Sequence, residues 1–147
     1  MEEYKEIIQY YNSTLIFKLS QIGYALNCNL IFSDRLEKID IYKSFELIKF
    51  LKDGDKIFID IGALKNIENL NIILDTIKSL NIKLIFYLMY EPFVSCDIIN
   101  KILPLSYHIY CQNNNYSHPL VHCMPIGIRD CGFVAKSMHN DFYHSYL

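Results

Sequence analysis

The sequence predicts an α/β domain, a three-layer, mostly parallel, Rossmann-like sheet with flanking helices, formed as one unit over residues 1–147. Three observations carry this expectation. Short β-branched and aromatic runs alternate with stripes of helical period. The strongest apolar run, residues 84–90, is nearly continuous, as in parallel strands covered on both faces. The length of 147 residues, 52% of them hydrophobic and 14% aromatic, suits a single core.

Tyr4, Ile8, Tyr11, Leu15, Leu19, Ile22 and Leu26 recur at steps of three and four, which places them on one helix face. Asn12-Ser13-Thr14 can divide that helix in two, because short polar side chains compete for backbone hydrogen bonds. Leu30-Ile31-Phe32 before Ser33-Asp34 reads as a buried strand ending at a turn. Phe45, Ile48 and Leu51 mark a helix over residues 41–51, stopped at Asp53-Gly54-Asp55, where glycine tolerates a positive φ. Residues 56–61 form the next strand, ending at Asp60 and Gly62. Ile67, Leu70, Ile73, Leu74, Ile77 and Leu80 then give a helix closed by Asn81. After the strand over 84–90 come a short helix over 98–103, a strand over 107–111, a polar loop over 112–118 and an extended segment over 120–124. Val134, Met138, Phe142 and Tyr146, four residues apart, predict a last amphipathic helix that packs on the sheet or meets a partner.

Composition excludes several functions. Lys plus Arg is 14 and Asp plus Glu is 16, a net charge of −2, so the positive excess that neutralises phosphates is missing and nucleic acid is not an expected partner. The longest strong apolar run is far short of the about 20 residues a membrane span requires. The opening Met1-Glu2-Glu3-Tyr4-Lys5-Glu6 is acidic where a secretory signal carries positive charge, so a cytoplasmic protein is expected. Five irregularly spaced cysteines, an odd number, read as reduced thiols, mostly core filler.

Chemistry is sparser. The five glycines include neither a G-x-G-x-x-G nor a P-loop pattern, so Gly62 reads as a turn residue and no cofactor is implied. Histidines and cysteines crowd the second half, yet no Cys-x-x-Cys occurs, and Pro119 interrupts the His118 to His122 spacing. Strand alternation puts His122 and Cys123 on opposite sides, and likewise His108 and Cys111, so no metal site is predicted. The same alternation denies Cys111 a base in His108, and Cys96 has only Asp97 beside it. In open parallel sheets ligands sit beyond the carboxyl ends of the strands, which selects Asp60 with Gly62, Glu91, Asn113 and Gly127. Asp60 and Glu91 would end neighbouring strands, where carboxylates can bind a sugar hydroxyl or act as a base. Twelve tyrosines add stacking surface for a sugar or base, although core packing accounts for most of them.

Residues 107–130 read YHIYCQNNNYSHPLVHCMPIGIRD. This stretch resembles a segment of two-domain, GT-B type glycosyltransferases, particularly the exostosin-like group. In that group a strand ending in aromatic-x-Gln-Asn leads through a His-Pro loop to a strand closing with Pro-Ile-Gly-Ile/Leu. The matching residues are Tyr110 to Asn113, His118-Pro119 and Pro125 to Ile128, within a similarity that spans residues 56–130. The resemblance implies the N-terminal, acceptor-side half of such an enzyme. It further implies a nucleotide-sugar or carbohydrate acceptor as ligand and Glu91 as candidate catalytic base, with Asn113 and Gly127 at the cleft edge; together with the strand-end acid Asp60 these are the expected substrate-binding residues. In the family a second domain supplies most donor contacts; the sequence here runs to Leu147, so an inactive half or one needing a separate donor-domain partner is expected. The other expectation is a non-catalytic interaction or homodimerisation module of the same fold, whose exposed apolar face makes a homodimer or docks a partner, with the C-terminal stripe as the feature that separates the two readings.

Overall fold

Hydrophobic runs of the right length become strands because each residue's backbone is satisfied by a neighbouring strand while both its faces find cover. In the computed structural model the described residues are 21–34, 36, 39–89, 94–111 and 116–124. They form α1 (Gln21–Leu26), β1 (Leu30–Phe32), α2 (Ile41–Leu47), β2 (Lys56–Asp60), α3 (Ile67–Ser79), β3 (Leu84–Met89), α4 (Cys96–Ile102), β4 (Ser106–Cys111) and β5 (Val121–Cys123). The predicted helical stripes over residues 4–20 and 134–146 lie outside the described residues. No described helix is long and apolar enough to cross a membrane.

Local chemistry sets the helix boundaries. The carboxylate of Asp40 accepts from the Tyr42 amide at 2.9 Å, Asn66 Oδ1 from the Asn69 amide at 3.0 Å, and Ser95 Oγ from the Ile98 amide at 3.3 Å. Asn81, at φ 55°, closes α3 as the sequence predicts. The helix expected over 41–51 stops earlier. It tightens into a 3-10 turn at Ile48–Phe50, and Leu51 is already extended with its side chain in the core. Gly54, at φ +83°, therefore serves the turn into β2 rather than a helix end. Gly62 opens a second 3-10 turn, Gly62–Leu64, and the positive φ of that region falls on Lys65.

The sheet is five-stranded and wholly parallel, in the order β1-β2-β3-β4-β5. Right-handed crossovers between strands in sequential order bring α2, α3 and α4 to one face. Two contacts mark that side: the Phe45 ring meets Phe32 edge-on at 5.1 Å, and Lys101 Nζ of α4 donates to Asn71 Oδ1 of α3 at 3.3 Å. This face is dry. Leu30, Phe32, Ile57, Ile59, Phe86, Leu88, Ile109 and Cys111 are all completely buried on it, each large apolar side chain contributing about 1.5–3 kcal/mol. α1 packs on the other face against β2 and β3, completing three layers. No described strand reverses the order, so the carboxyl ends form one continuous edge without the central crevice of doubly wound sheets.

The pairing of β3 with β4 contains one irregularity. Leu84 pairs with Ser106, but Ile85 pairs with His108, so Tyr107 is an extra residue on β4. Tyr107 turns outward, and its hydroxyl donates to Asp53 Oδ2 at 2.7 Å, while the Lys83 amide donates to Asp53 Oδ1 at 2.8 Å. These hydrogen bonds, the Lys83 amide first and Tyr107 second, hold the Asp53 carboxyl below its ordinary range. A depressed carboxyl stabilises the native state above the ordinary carboxylate range and loses that contribution as pH falls through its lowered value. Tyr107→Phe should therefore raise the Asp53 titration midpoint in carboxyl NMR. In urea unfolding its stability deficit should be constant at neutral pH and shrink on acidification.

Candidate functional site

The register sets one residue from each strand in a single row on the α1 face: Ile31, Phe58, Tyr87, Tyr110 and His122. Along it the chemistry changes. Ile31 and Phe58 are fully buried, whereas Tyr87, Tyr110 and His122 are half-buried. The Tyr87 and Tyr110 rings stack with centroids 5.1 Å apart and planes 20° apart; Tyr110 and His122 follow at 4.9 Å and 27°. Rings stacked on one another cover each other's faces, so a ligand meets their edges. Each stacked pair adds about 0.5–1.5 kcal/mol beyond area burial, and the row offers two phenol hydroxyls and an imidazole along the sheet.

One step toward the amino ends of the strands, His108 joins the row. Its Nδ1 lies 3.0 Å from His122 Nε2, with ring centroids 5.1 Å apart. The Tyr87 hydroxyl is pushed above its ordinary range, first by burial and then by Cys28, just past α1, and by Tyr110. It remains a neutral donor and acceptor throughout the physiological range.

Toward the carboxyl edge, Asp60 pairs with Met89, and Cys111 with both Leu88 and Cys123, so the ends of β2 to β5 follow one another along the sheet. Asp60 is completely buried. Its Oδ1 accepts from the Ala63 amide at 3.2 Å and its Oδ2 from Ser33 Oγ at 3.4 Å, fastening the loop after β1 to the 3-10 turn after β2. Of the other residues selected from the sequence, Glu91, Asn113 and Gly127 lie outside the described residues. The described strand ends that precede them, Met89, Cys111 and Cys123, are neighbours. On the helix side of the edge, Ile61, Leu64, Lys65, Ile67 and Ile98 help line an open cavity of about 230 Å³. It is small and largely apolar, below the usual size of a drug-sized ligand's pocket.

Sequence spacing treats histidine and cysteine pairs within one strand and so passes over His108 with His122, which meet across two strands. The missing signal is the register: β4 pairs with β5 so that Tyr110 faces His122, and the extra residue at Tyr107 sets both on the side of Tyr87. Among the described residues no group of three or more His, Cys, Asp or Glu side chains converges. The described cysteines divide: Cys28 and Cys111 are buried core thiols, but Cys96 and Cys123 are exposed, which corrects the expectation of core filler for those two, and Cys131 lies outside the described residues. The chain matches no protein family, no curated protein and no solved structure.

Burial pushes the Cys28 thiol up to about 12, against a lowering by Lys56, and the Cys111 thiol up to about 11, where Cys123 adds to the rise. In native protein at pH 8, iodoacetamide with peptide mapping should label Cys96 and Cys123 within minutes, while Cys28 and Cys111 should react only after unfolding. Rapid native labelling of Cys28 would contradict the packing of α1 on the sheet.

Proposed function

We propose that this chain is a carbohydrate-binding α/β domain of glycosyltransferase-like kind, an acceptor-side half that binds a sugar without transferring it alone. The sugar lies at the carboxyl edge of β3 to β5, against the Tyr87–Tyr110–His122 row. The observation that carries this reading is the row itself: polar ring edges on a half-buried sheet face, one or two residues short of adjoining strand ends. A sugar presents closely spaced hydroxyls that donate and accept. Such a ligand is met by several modest hydrogen bonds of about 0.5–1.5 kcal/mol each rather than by one strong contact. Further support comes from the layout of the segment that resembles the exostosin-like group. β4, the His118-Pro119 turn and β5 follow in that order, and the two strands are parallel neighbours.

Roles divide accordingly. Asp60 is a positioning residue that fixes the loops at the edge. Tyr87 and Tyr110 offer hydroxyls, and the resemblance assigns the remaining polar contacts to Glu91, Asn113 and Gly127. With a donor domain present, Glu91 would take the proton from an acceptor hydroxyl as its oxygen attacks the anomeric carbon of a nucleotide sugar and the bond to the departing nucleotide phosphate breaks.

Calorimetric titration with common nucleotide sugars, monosaccharides and oligosaccharide acceptors tests the proposal. At least one carbohydrate should bind. Tyr110→Phe should weaken it about two- to tenfold, the equivalent of one hydrogen bond, and Glu91→Ala should weaken it more. Absence of heat with every sugar would end the reading.

A further inference from the structure

We propose that His108 and His122 form a two-imidazole site for a divalent transition-metal ion, with His108 Nδ1 and His122 Nε2 as its protein ligands. The site shares His122 with the proposed sugar surface but rests on the geometry of the two histidines alone. His108 of β4 and His122 of β5 lie on the same face, and the nitrogens that face one another are 3.0 Å apart. Two imidazole nitrogens each at about 2.0–2.1 Å from one metal, with an angle of about 90–109° between them, are separated by roughly 2.9–3.4 Å. The observed separation falls within that interval, so a metal can enter by small ring rotations without moving the strands.

The rings are also held in place. Tyr110 stacks on His122 at 4.9 Å, and both histidines stand on paired strands, so little freedom remains to be lost on binding. Imidazole suits zinc, copper and nickel, and among first-row divalent ions such a site favours Cu²⁺. Both side chains are half-buried, which leaves the outer coordination positions to water.

The proton balance is simple. Between two neutral rings one facing nitrogen carries a proton and the other accepts it. When the metal binds, that proton moves through solvent to the outer nitrogen of its own ring, and both facing lone pairs go to the metal. No proton is released overall and no redox partner is required.

His118 does not belong to the pair. Its Nδ1 accepts the Leu120 amide at 3.1 Å, so it serves as the control.

The test is Cu²⁺ titration of the full chain, read by electron paramagnetic resonance and by calorimetry. One equivalent should bind with hyperfine structure from two imidazole nitrogens. His108→Gln and His122→Gln should each weaken binding by more than about tenfold, since loss of even an outer-shell partner costs that much, whereas His118→Gln should not change it. A reading that needs no variant is Zn²⁺ titration of the wild-type chain by NMR, in which the His108 and His122 ring resonances should shift together. Unchanged Cu²⁺ affinity in both variants, or Zn²⁺ shifts confined to other histidines, would overturn the proposal whatever the sugar titration shows.

Discussion

One extra residue decides which side of the sheet carries its polar chemistry. Tyr107 is inserted where β3 pairs with β4, so the register slips between Leu84 and Ile85. A strand's side chains alternate, and a slip by one residue exchanges its two faces relative to a neighbour. Without the insertion, Tyr110 and His108 would point among Phe86 and Leu88 on the dry helical face, leaving buried polar groups without water. With it, they stand beside Tyr87 and His122, and Ile109 and Cys111 take the core positions. The bulged residue is itself fastened at the amino edge by Asp53, which ties the turn before β2 to the starts of β3 and β4.

Parallel sheets require cover on both faces, and here the cover is uneven. α2, α3 and α4 seal one face across the sheet, while α1 protects the other over β2 and β3. The row from Ile31 to His122 changes along the sheet: apolar and buried on β1 and β2, polar and half-buried from β3 to β5. Folding and surface chemistry thus share one gradient. The row that anchors the core at one end is the surface for hydrogen bonding at the other.

Much of the architecture was legible in the amino-acid order because each element declares itself locally. The apolar periodicity of Ile67 to Leu80, the closing Asn81 and the alternating strand runs all act within a few residues, and the helices and strands fall where they predict. The early end of the helix at Leu47 was not legible, since Leu51 leaves the helix to fill the core, a demand of tertiary packing. Cross-strand relations were less accessible still. Asp60 could be picked as a strand-end acid, but its complete burial and its bonds to Ser33 and Ala63 depend on two loops distant in sequence. The approach of His108 to His122 depends on the β4–β5 register, and their place beside Tyr87 on a bulge that composition does not mark. The only local hint was that His108, Tyr110 and His122 share strand parity, which counts once the register is known.

The register at Tyr107 is therefore the point on which the molecule's surface chemistry turns. Nuclear Overhauser contacts among assigned aromatic rings measure it directly in solution. The structure predicts cross-peaks from the Tyr110 ring to both Tyr87 and His122, with the Ile109 methyls contacting Phe86. Cross-peaks from the Tyr110 ring to Phe86 and Leu88, with none to Tyr87, would show the opposite register and contradict the account.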